Sequence, residues 1–378
     1  MNLLADENIP HADEALAEFG RVRLMSGRGI TRAELADVDA LIVRSITKVN
    51  RDLLEGTPVC FVGTATNGLD HIDLDYLSSA GITFADAAGA NAGAVVQYII
   101  AALLELHERG LTGITGEKIG IIGVGRIGEQ VAKCARVLGM ETVEYDPPKA
   151  ACDPAFRSAN PEELFDCAII TFHVPLHDEG DHGTHHMADL EFLRRLRPGT
   201  ILINTSRGGV VSSEALVHVL GAGHLGGAVL DVWEEEPSIP VALVNACTIA
   251  TPHIAAYSHD AKLRGTKAMA DAVAAFLGTT SNWDMKHYLP DEINPIIIPP
   301  NISPLQAARN AVLHVWDIRR DDSVLHALLP LDDASRRTGF DDLRKNYPLR
   351  REFSAFTVAT DNLEVRDVVK GLGFGVGV

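Results

Sequence analysis

GIIGVGRIGEQ, at residues 120–130, is the stretch that decides the fold of this chain. It contains the spacing GxGxxG, whose glycines are Gly123, Gly125 and Gly128. Glycines at these positions permit a tight turn, a close approach of the backbone to a pyrophosphate, and close packing of a helix on a strand. The N–H groups of the helix that begins near Arg126 and Ile127 would point at the phosphates. An apolar strand before the turn and a helix after it predict a dinucleotide site, although the spacing alone also occurs in other α/β turns.

The strand that follows this turn ends in an acidic residue. Asp146 closes the run ETVEYD and lies eighteen residues beyond Gly128. A carboxylate at this position accepts hydrogen bonds from the ribose hydroxyls of NAD and repels the 2′-phosphate of NADP. The sequence therefore predicts NAD as the cofactor, with Lys149 as the nearest basic residue.

Strand-like and helical patterns alternate on both sides of the turn. The strand candidates from the turn onward are KIGIIG (118–123), ETVEYD (141–146), CAIITFHV (167–174), TILINTS (200–206), GGAVLDV (226–232) and CTIATPH (247–253). The strand candidates before the turn are NLLA, RVRLM, ALIVRS, CFVGTAT and ITFADA. Because strands that alternate with helices form parallel sheets, we predict two doubly wound α/β domains, with a long helix over about 94–109 between the two series.

The last part of the chain has a different composition. LPDEINPIIIPPNISP (289–304) contains five prolines in sixteen residues, which indicates a domain boundary. Helices are then predicted over PLQAARNAVLHVWDI and NLEVRDVVKGLG, and a strand is predicted in FSAFTVAT. The short apolar runs IIIPP and FGVGV lie at the two ends of this part. We predict a small α+β domain of about 90 residues, which is within the ordinary size of a domain.

Charge and cysteine content exclude several classes of function. The formal net charge is −18, and an acidic surface repels nucleic acid. The five cysteines are scattered and form no CxxC pair, which is typical of a reduced cytoplasmic protein without disulfides. MNLLADENIP lacks the features of a signal peptide, and AGAVVQYIIAALLEL (92–106) is too short to span a bilayer. We therefore expect neither nucleic acid nor a membrane as a partner.

Polar residues follow three of the later strands. Arg207 follows TILINTS, Asp231 lies at the end of GGAVLDV with Glu234, Glu235 and Glu236 after it, and His253 ends CTIATPH. Open α/β sheets bind ligands at the carboxyl ends of their strands. Histidine suits proton transfer near neutral pH, a carboxylate behind it fixes its tautomer, and arginine holds a carboxylate through two hydrogen bonds. Together these residues predict hydride transfer from an alcohol, although each alone also fits a surface charge, a capping residue or a solvated loop.

These segments resemble the D-2-hydroxyacid dehydrogenase family. The resemblance rests on GxGxxG in mid-chain, SRG (206–208), LDVWEEEP (230–237) and PHIA (252–255). It implies a flavodoxin-like substrate domain, residues 1–93 and 258–285, that is split by an inserted Rossmann NAD domain, residues 94–257. Residues 286–378 would form a C-terminal domain that makes the homodimer.

The resemblance extends over essentially the whole chain to one group within this family. It is carried by LLADENIP, LIVRSITKVN, FVGTATNGLDHIDLDYL, YDPP, ITFHVPL, TPHIAAYS and LRKNYPLRREF. It implies the NAD-dependent oxidation of 4-phospho-D-erythronate to the 2-oxo acid in pyridoxal phosphate biosynthesis. Another D-2-hydroxy acid, such as 3-phosphoglycerate, is the alternative substrate, and an NAD-sensing corepressor is the alternative class of protein. The intact Arg, Glu and His favour an enzyme.

The resemblance also implies roles for single residues. The implied catalytic residues are Arg207, Glu236 and His253, where Glu236 is chosen from the three glutamates because Pro237 follows it. The residues implied to contact NAD are Gly123, Gly125, Arg126, Ile127, Gly128, Asp146, His173, Val174, Ser206, Arg207, Gly208, Asp231 and Ala256. The residues implied to contact the substrate are Ser45, Thr66 and Tyr257. Val174 and Ala256 depart from the usual Thr and Gly, so only backbone contacts are expected there, and Ser212 replaces a common Asp.

A phosphorylated substrate also needs cations beyond Arg207. Arg44, Ser45 and Lys48 lie in VRSITKVN at a predicted strand end, where they could form an anion cradle. Arg44 and Lys48 could equally be ordinary surface charges. The basic stretch LRKNYPLRREF (343–353), from this chain or a partner subunit, is the second candidate.

One loop is rich in histidine. HVPLHDEGDHGTHHMAD (173–189) contains His173, His177, His182, His185 and His186. The loop has neither a cysteine partner nor the HExxH spacing of a zinc helix. We predict no metal site.

Overall fold

The computed structural model describes residues 1–177, 182–290, 293–299 and 301–377. The chain divides into two compact units, the first formed by Met1–Ala92 with Tyr257–Asp291 and the second by Gly93–Ala256 with Glu292–Val378. The chain therefore leaves the first unit and later returns to it. The second unit includes the C-terminal residues, and the division into three domains stays a prediction.

Strands and helices alternate along most of the described chain. The strands are β1 Asn2–Asp6, β2 Arg21–Met25, β3 Ala40–Val43, β4 Phe61–Thr64, β5 Thr83–Asp86, β6 Lys118–Ile122, β7 Glu141–Tyr145, β8 Ile169–Phe172, β9 Ile201–Asn204, β10 Gly227–Leu230, β11 Ile249–Ala250, β12 Ile296–Ile297, β13 Thr357–Ala359 and β14 Gly375–Gly377. The α-helices are α1 Ala12–Leu16, α2 Arg51–Leu54, α3 Leu74–Ser79, α4 Ala92–Glu108, α5 Arg126–Val137, α6 Pro147–Cys152, α7 Pro161–Leu164, α8 Leu190–Arg195, α9 Ser213–Gly221, α10 Val241–Ala246, α11 His259–Phe276, α12 Pro304–Val315, α13 Ile318–His326, α14 Asp333–Lys345 and α15 Leu363–Gly371.

The first unit is built on a five-stranded parallel sheet in the order β2-β1-β3-β4-β5. This is the strand order of flavodoxin-like sheets, and the five strands predicted before the glycine turn are confirmed. Leu3 and Ala5 pack in one apolar cluster with Val273 of α11, whereas Leu4 packs in a second cluster with Leu53 of α2. Successive strand residues point to opposite faces of a sheet. Both faces are therefore covered, which explains the continuous apolar runs in these strands.

The second unit contains a six-stranded parallel sheet in the order β11-β10-β9-β8-β6-β7. The six strands predicted from the turn onward are confirmed, and the order reverses between β6 and β8, where such sheets bind dinucleotides. Because all six strands run in one direction, the segments that follow them lie at a single edge of the sheet. The glycine turn, Arg207 and His253 are all in such segments.

The long helix α4 is mostly apolar and is buried along most of its length. It begins two residues earlier than predicted and was correctly predicted to be a buried helix. In the part of the chain that the structure describes, no helix is both long and apolar enough to cross a membrane.

The C-terminal residues form a three-stranded parallel sheet, β12-β13-β14, with four helices. Helices α12 and α15 are confirmed, but α13 and α14 were not predicted from the sequence. Their sequences, IRRDDSVLH and DASRRTGFDDLRK, are mostly polar, and a narrow apolar stripe gives only a weak periodic signal. Leu325 and Phe340 from these helices are nevertheless fully buried in the main core of the second unit. The C-terminal part therefore contributes to the same core as the six-stranded sheet.

Candidate active site

The backbone around the glycine turn explains separately why glycine occupies two of its three positions. Gly123 has a φ of +88°, and a β-carbon there would lie 2.8 Å from the carbonyl carbon of His173. A β-carbon at Gly128 would lie 2.1 Å from the carbonyl oxygen of Gly123, so helix α5 packs directly on the turn. A β-carbon at Gly125, in contrast, would meet nothing within 4 Å. Gly125 therefore faces open space beside the N-terminus of α5, where backbone N–H groups are exposed.

Asp146 lies at the end of β7 and joins the glycine turn. Its Oδ2 accepts a hydrogen bond from the N–H of Val124 at 2.8 Å, and its Oδ1 accepts one from the N–H of Lys149 at 2.9 Å, which caps α6. The ammonium of Lys149 donates to the carbonyl oxygen of Val124 and forms an ion pair with Glu129. The acid and the base predicted near the ribose therefore both lie against the turn.

His173 and Val174 follow β8 and lie against Gly123, as the distances from its missing side chain require. The Nε2 of His173 forms a hydrogen bond with the hydroxyl of Thr171 at 3.1 Å. Burial lowers the pKa of His173 to about 3, although the residue keeps some exposed surface. His173 is therefore neutral at physiological pH and adds no charge beside the turn.

The centre of the candidate site is a hydrogen-bonded pair of side chains. Nδ1 of His253 lies 2.7 Å from Oε2 of Glu236. The other oxygen of Glu236 accepts a hydrogen bond from the N–H of Trp233 at 3.0 Å. His253 itself has a positive φ of 56°, which is uncommon for a residue with a side chain. The pair unites two strand ends that the sequence separates by seventeen residues.

The charge state of Glu236 follows from its surroundings. Burial alone would raise the pKa of its carboxyl. The charge and hydrogen bond of His253, the nearby charge of Arg344 and the backbone of Trp233 act in the opposite direction. Their sum holds the pKa of Glu236 below its ordinary value. Glu236 is therefore a carboxylate at neutral pH and can stabilise an imidazolium.

Asp231 holds the turn that carries His253. Its Oδ1 accepts hydrogen bonds from the hydroxyl of Thr251 at 2.6 Å and the N–H of Ile254 at 2.8 Å. Its Oδ2 accepts a hydrogen bond from the N–H of Ala255 at 2.8 Å. Burial raises the pKa of Asp231, although the charge of His253 and these hydrogen bonds oppose the shift.

Tyr98 and Thr251 extend this network and were not found by sequence reasoning. The hydroxyl of Tyr98, which is fully buried on α4, lies 2.7 Å from the hydroxyl of Thr251. Only the polar hydroxyls within apolar runs could have signalled them. Both oxygens of Asp231 accept hydrogen bonds within the turn. The contact of Asp231 with NAD stays a prediction.

Arg207 lies in a turn shaped by Asn204, another residue that sequence reasoning missed. The amide of Asn204 donates to the carbonyl oxygen of Arg207 at 2.9 Å, and its oxygen accepts from the N–H and hydroxyl of Ser206. Arg207 Nη1 also donates to the carbonyl oxygen of Ser206 at 2.7 Å. A β-carbon at Gly208 would lie 2.1 Å from the carbonyl carbon of Trp233. The SRG turn is therefore packed against the segment that ends in Glu236.

The predicted substrate residues of the first unit follow adjacent strands. Arg44 and Ser45 come directly after β3, and Thr66 comes two residues after β4. The Thr66 hydroxyl lies 2.9 Å from that of Thr64. Because β3 and β4 are parallel neighbours, these residues lie at one edge of the sheet. Tyr257 also belongs to this unit.

The histidine-rich loop is only partly described, since residues 178–181 lie outside the described residues. His186 bonds to Glu234, and the rings of His185 and His186 stack with centroids 4.1 Å apart. Within the described ranges, no group of three or more His, Cys, Asp or Glu side chains could hold a metal ion.

Comparisons with known proteins identify similar domains and folds. A family model described as the NAD-binding domain of D-isomer specific 2-hydroxyacid dehydrogenases matches residues 104–255. A domain of unknown function matches residues 289–373. A solved D-lactate dehydrogenase from Aquifex aeolicus, complexed with NAD and lactic acid, has 25% sequence identity and a TM-score of 0.60, over 74% of this chain and 96% of that one. A 3-phosphoglycerate dehydrogenase from Entamoeba histolytica with 22% identity and a TM-score of 0.62, over 75% of this chain and 99% of that one, shows the shared fold.

Curated relatives resemble the whole chain. Erythronate-4-phosphate dehydrogenases of Pseudomonas aeruginosa and Photorhabdus laumondii are 42% and 41% identical to it, over 99% of this chain and 99% of each relative. The similarity thus includes both units and the C-terminal part. The fold class and the NAD cofactor predicted from the sequence are confirmed. The chain belongs to the erythronate-4-phosphate dehydrogenase family of NAD-dependent D-isomer specific 2-hydroxyacid dehydrogenases.

Proposed function

We propose that this protein oxidises 4-phospho-D-erythronate to 3-hydroxy-2-oxo-4-phosphooxybutanoate, with NAD as the acceptor, in pyridoxal phosphate biosynthesis. The observation that carries the proposal is the hydrogen bond between His253 and Glu236, at the edge of a sheet with an NAD-binding turn. A corepressor that only senses NAD would have no use for this pair. The names of the relatives favour 4-phosphoerythronate over 3-phosphoglycerate.

His253 is the proposed general base. Its Nδ1–H donates to Glu236, which leaves Nε2 as the basic nitrogen. Nε2 takes the proton of the substrate 2-hydroxyl while the hydrogen on C2 leaves as a hydride and the C–O bond becomes a carbonyl. NAD, when bound, supplies the acceptor for that hydride. Glu236 orients the ring and stabilises the imidazolium that forms.

Arg207 is proposed to hold the substrate carboxylate and polarise the C2 oxygen. A guanidinium can bind a carboxylate through two parallel hydrogen bonds, which fixes its orientation as well as its charge. The carbonyl of Arg207 is fixed by Asn204, and Gly208 allows its turn to approach Trp233. These contacts fix the backbone of the turn, and the hydrogen bond from Arg207 Nη1 to the carbonyl oxygen of Ser206 supports a defined position for the guanidinium.

NAD binding is proposed for the residues that the family resemblance implies. The pyrophosphate would lie at Gly123–Gly128 and the ribose at Asp146. His173, Val174 and Ala256 would contribute through their backbone, and Ser206, Arg207, Gly208 and Asp231 would line the nicotinamide end. The open space at Gly125 and the neutral His173 are compatible with this arrangement.

Replacing Asp146 with alanine is expected to weaken NAD binding and to reduce the preference for NAD over NADP, because the carboxylate of Asp146 repels the 2′-phosphate of NADP. The change also removes the cap of α6, which costs about 1 kcal/mol of folding stability. Asp189→Ala is the matched control, since Asp189 caps α8 in the same way but lies away from the glycine turn in sequence. Titrations with NAD and with NADP measure the ratio of the two dissociation constants. A wild-type protein that uses both cofactors equally would contradict the role of Asp146.

The substrate phosphate is proposed to bind Arg44 and Ser45, with Thr66 and Tyr257 as further substrate contacts. Arg44 is half-buried and Ser45 is exposed, directly after β3. A cation, a hydroxyl and nearby N–H groups form a suitable anion cradle. Lys48 is exposed and lies three residues after Ser45, so its ammonium could add positive charge to this cradle.

Arg44→Ala should raise KM for 4-phosphoerythronate far more than KM for unphosphorylated erythronate, because only the former loses a charged contact. Arg51→Ala serves as the control, since Arg51 is exposed in the same unit and pairs with Glu55. Steady-state kinetics with both substrates measure the difference. Equal losses would place Arg44 away from the phosphate and redirect attention to the arginines of 343–353.

The chain is proposed to consist of a substrate domain, residues 1–93 with 258–285, an NAD domain, residues 94–257, and a C-terminal domain, residues 286–378. The protein is proposed to be a cytoplasmic homodimer that forms through the C-terminal domain. The three most exposed large apolar residues of the described chain, Ile297, Leu363 and Leu349, all lie in the C-terminal part. Exposed apolar surface of this kind typically marks an interface. All five cysteines are free thiols, as expected in a reducing compartment.

The double change Ile297→Glu and Leu363→Glu is expected to raise the dissociation constant of the dimer by at least about tenfold, because each buries a charge in the interface. Leu277→Glu, at an exposed leucine of the first unit, is the control. Light scattering over a range of concentrations measures the mass. An unchanged dimer in the double variant would place the interface elsewhere. Point changes are preferable to truncation, because Leu325 and Phe340 belong to the core of the second unit.

The proposed reaction is tested by following NADH absorbance with purified protein and a panel of D-2-hydroxy acids. We expect the highest kcat/KM for 4-phospho-D-erythronate, with 3-phosphoglycerate and erythronate well below it. A higher kcat/KM for 3-phosphoglycerate would show that 3-phosphoglycerate is the substrate instead. The absence of NADH formation with every acid would contradict the proposed enzyme and favour an NAD sensor.

A further inference from the structure

Arg344, near the end of α14, approaches the carboxylate of Glu236. Its Nη1 lies 3.9 Å from Oε2 of Glu236, the same oxygen that Nδ1 of His253 meets at 2.7 Å. The side chains of Arg344 and Glu236 are each only 19% exposed. A charge pair with so little solvent access is screened less than a surface pair. Arg344 therefore acts on the same atom that orients the histidine.

The groups that face Glu236 come from three segments. Its own loop supplies the N–H of Trp233, the turn after β11 supplies His253, and α14 supplies Arg344. The neighbouring acid Glu234 instead bonds to the backbone N–H of Ser213 and to His186.

A further charge near the pair is Asp231, which interacts with His253 and accepts hydrogen bonds from its turn. Burial would raise the pKa of Glu236, and His253 and then Arg344 are the charges that lower it. Arg344 is a permanent cation that the structure records beside Glu236. The histidine, in contrast, changes its charge during the proposed reaction.

The C-terminal part is attached to the same turn on both sides of His253. Asp322 of α13 accepts a hydrogen bond from the N–H of Ala250 at 2.8 Å. The guanidinium of Arg350, which is buried, donates to the carbonyl oxygen of Ala255 at 2.9 Å. Phe340, one turn before Arg344, is fully buried in the core. Phe340 anchors α14 itself, and the other two contacts fix the segments before and after this helix. The charge of Arg344 is therefore held at a defined position.

We propose that Arg344 is a positioning residue for the Glu236–His253 pair: its fixed charge keeps Glu236 ionised and sets the pH at which His253 exchanges its proton. The inference rests on the proposed dehydrogenase function and deepens it. It also assigns the C-terminal part a second role, since it supplies a charge to the active site of its own chain. A domain used for association alone would not need this contact.

The test compares Arg344→Met, Arg344→Lys and, as a matched control, Arg337→Met at an exposed arginine of the same helix. Without the cation, an imidazolium beside Glu236 becomes more stable, so neutral His253 is reached only at higher pH. The acid limb of the kcat/KM profile should move up by roughly half to one pH unit in Arg344→Met. Arg344→Lys should restore most of the wild-type position, and Arg337→Met should match the wild type. A loss of activity that is equal at every pH would mean a purely structural role and overturn the proposal.

A second readout separates this inference from the proposed reaction. NMR titration of histidines labelled at Cε1, with the His253 signal assigned by its absence in His253→Ala, follows the ring without substrate or turnover. The titration of His253 should move to higher pH in Arg344→Met and return in Arg344→Lys. If the wild type oxidises no hydroxy acid, the proposed function fails while this titration still tests Arg344. An unmoved titration overturns the inference, and Arg344→Gln replaces Arg344→Met should the latter not fold.

Discussion

Replacing His253 with alanine is expected to lower kcat/KM for 4-phospho-D-erythronate by at least about two orders of magnitude, the usual effect of losing a general base. The ring is held by Glu236 at 2.7 Å on its Nδ1 side, and no water molecule would take the place of Nε2 with the same orientation. Initial rates of NADH formation measure the effect. The loss should appear mainly in kcat, since the histidine acts in the chemical step.

The control for this change is His218→Ala, at an exposed histidine of α9. It should leave the kinetics unaltered, and both variants should have the circular dichroism of the wild type. Turnover close to wild type in His253→Ala would remove His253 from the mechanism.

Glu236→Gln tests the partner of the histidine and should be less harmful than His253→Ala, because Glu236 does not itself transfer the proton. Its pKa is held below the ordinary value, so the carboxylate is ionised at neutral pH and stabilises the imidazolium. Without that anion the neutral ring persists to lower pH. The acid limb of the pH–rate profile should therefore move down, opposite to the shift expected for Arg344→Met.

Arg207→Ala is the second change with a large expected effect, again at least about two orders of magnitude in kcat/KM, because the substrate loses its charged clamp. The loss should affect both KM and kcat, since the proposed contact binds the carboxylate and polarises the C2 oxygen. Arg207→Lys should recover only part of the activity, because an ammonium cannot form two parallel hydrogen bonds to a carboxylate.

Arg194→Ala provides the comparison for Arg207, since Arg194 is an exposed arginine of α8 in the same unit. Its kinetics should equal those of the wild type. If Arg207→Lys were as active as the wild type, a two-point contact would be excluded, and if Arg207→Ala were as active, Arg207 would have no part in the reaction.

The sequence by itself determined the two large parallel sheets and the edge at which the site lies. Apolar runs bounded by polar and glycine residues marked the central strands, because strands covered on both faces are apolar throughout. The edge strands β2 and β7 are partly exposed and mix polar with apolar residues. GxGxxG could be interpreted locally, since the positive φ of Gly123 and the packing of Gly128 on Gly123 both belong to the turn and its helix. Residues after parallel strands fall at one edge, so the positions of Arg207, Asp231 and His253 followed from the order of elements.

Only the tertiary structure decided which side chains meet there. In sequence, Glu234 and Glu236 are members of one acidic run, but the folded loop turns Glu236 to His253 and Glu234 to His186. The contact between Arg344 and Glu236 joins segments about a hundred residues apart, on a helix whose polar sequence did not predict it. The periodicity and spacing of residues predict which face of a segment is buried and where its backbone turns. Contacts between distant segments depend instead on how the elements pack, and no local pattern records that.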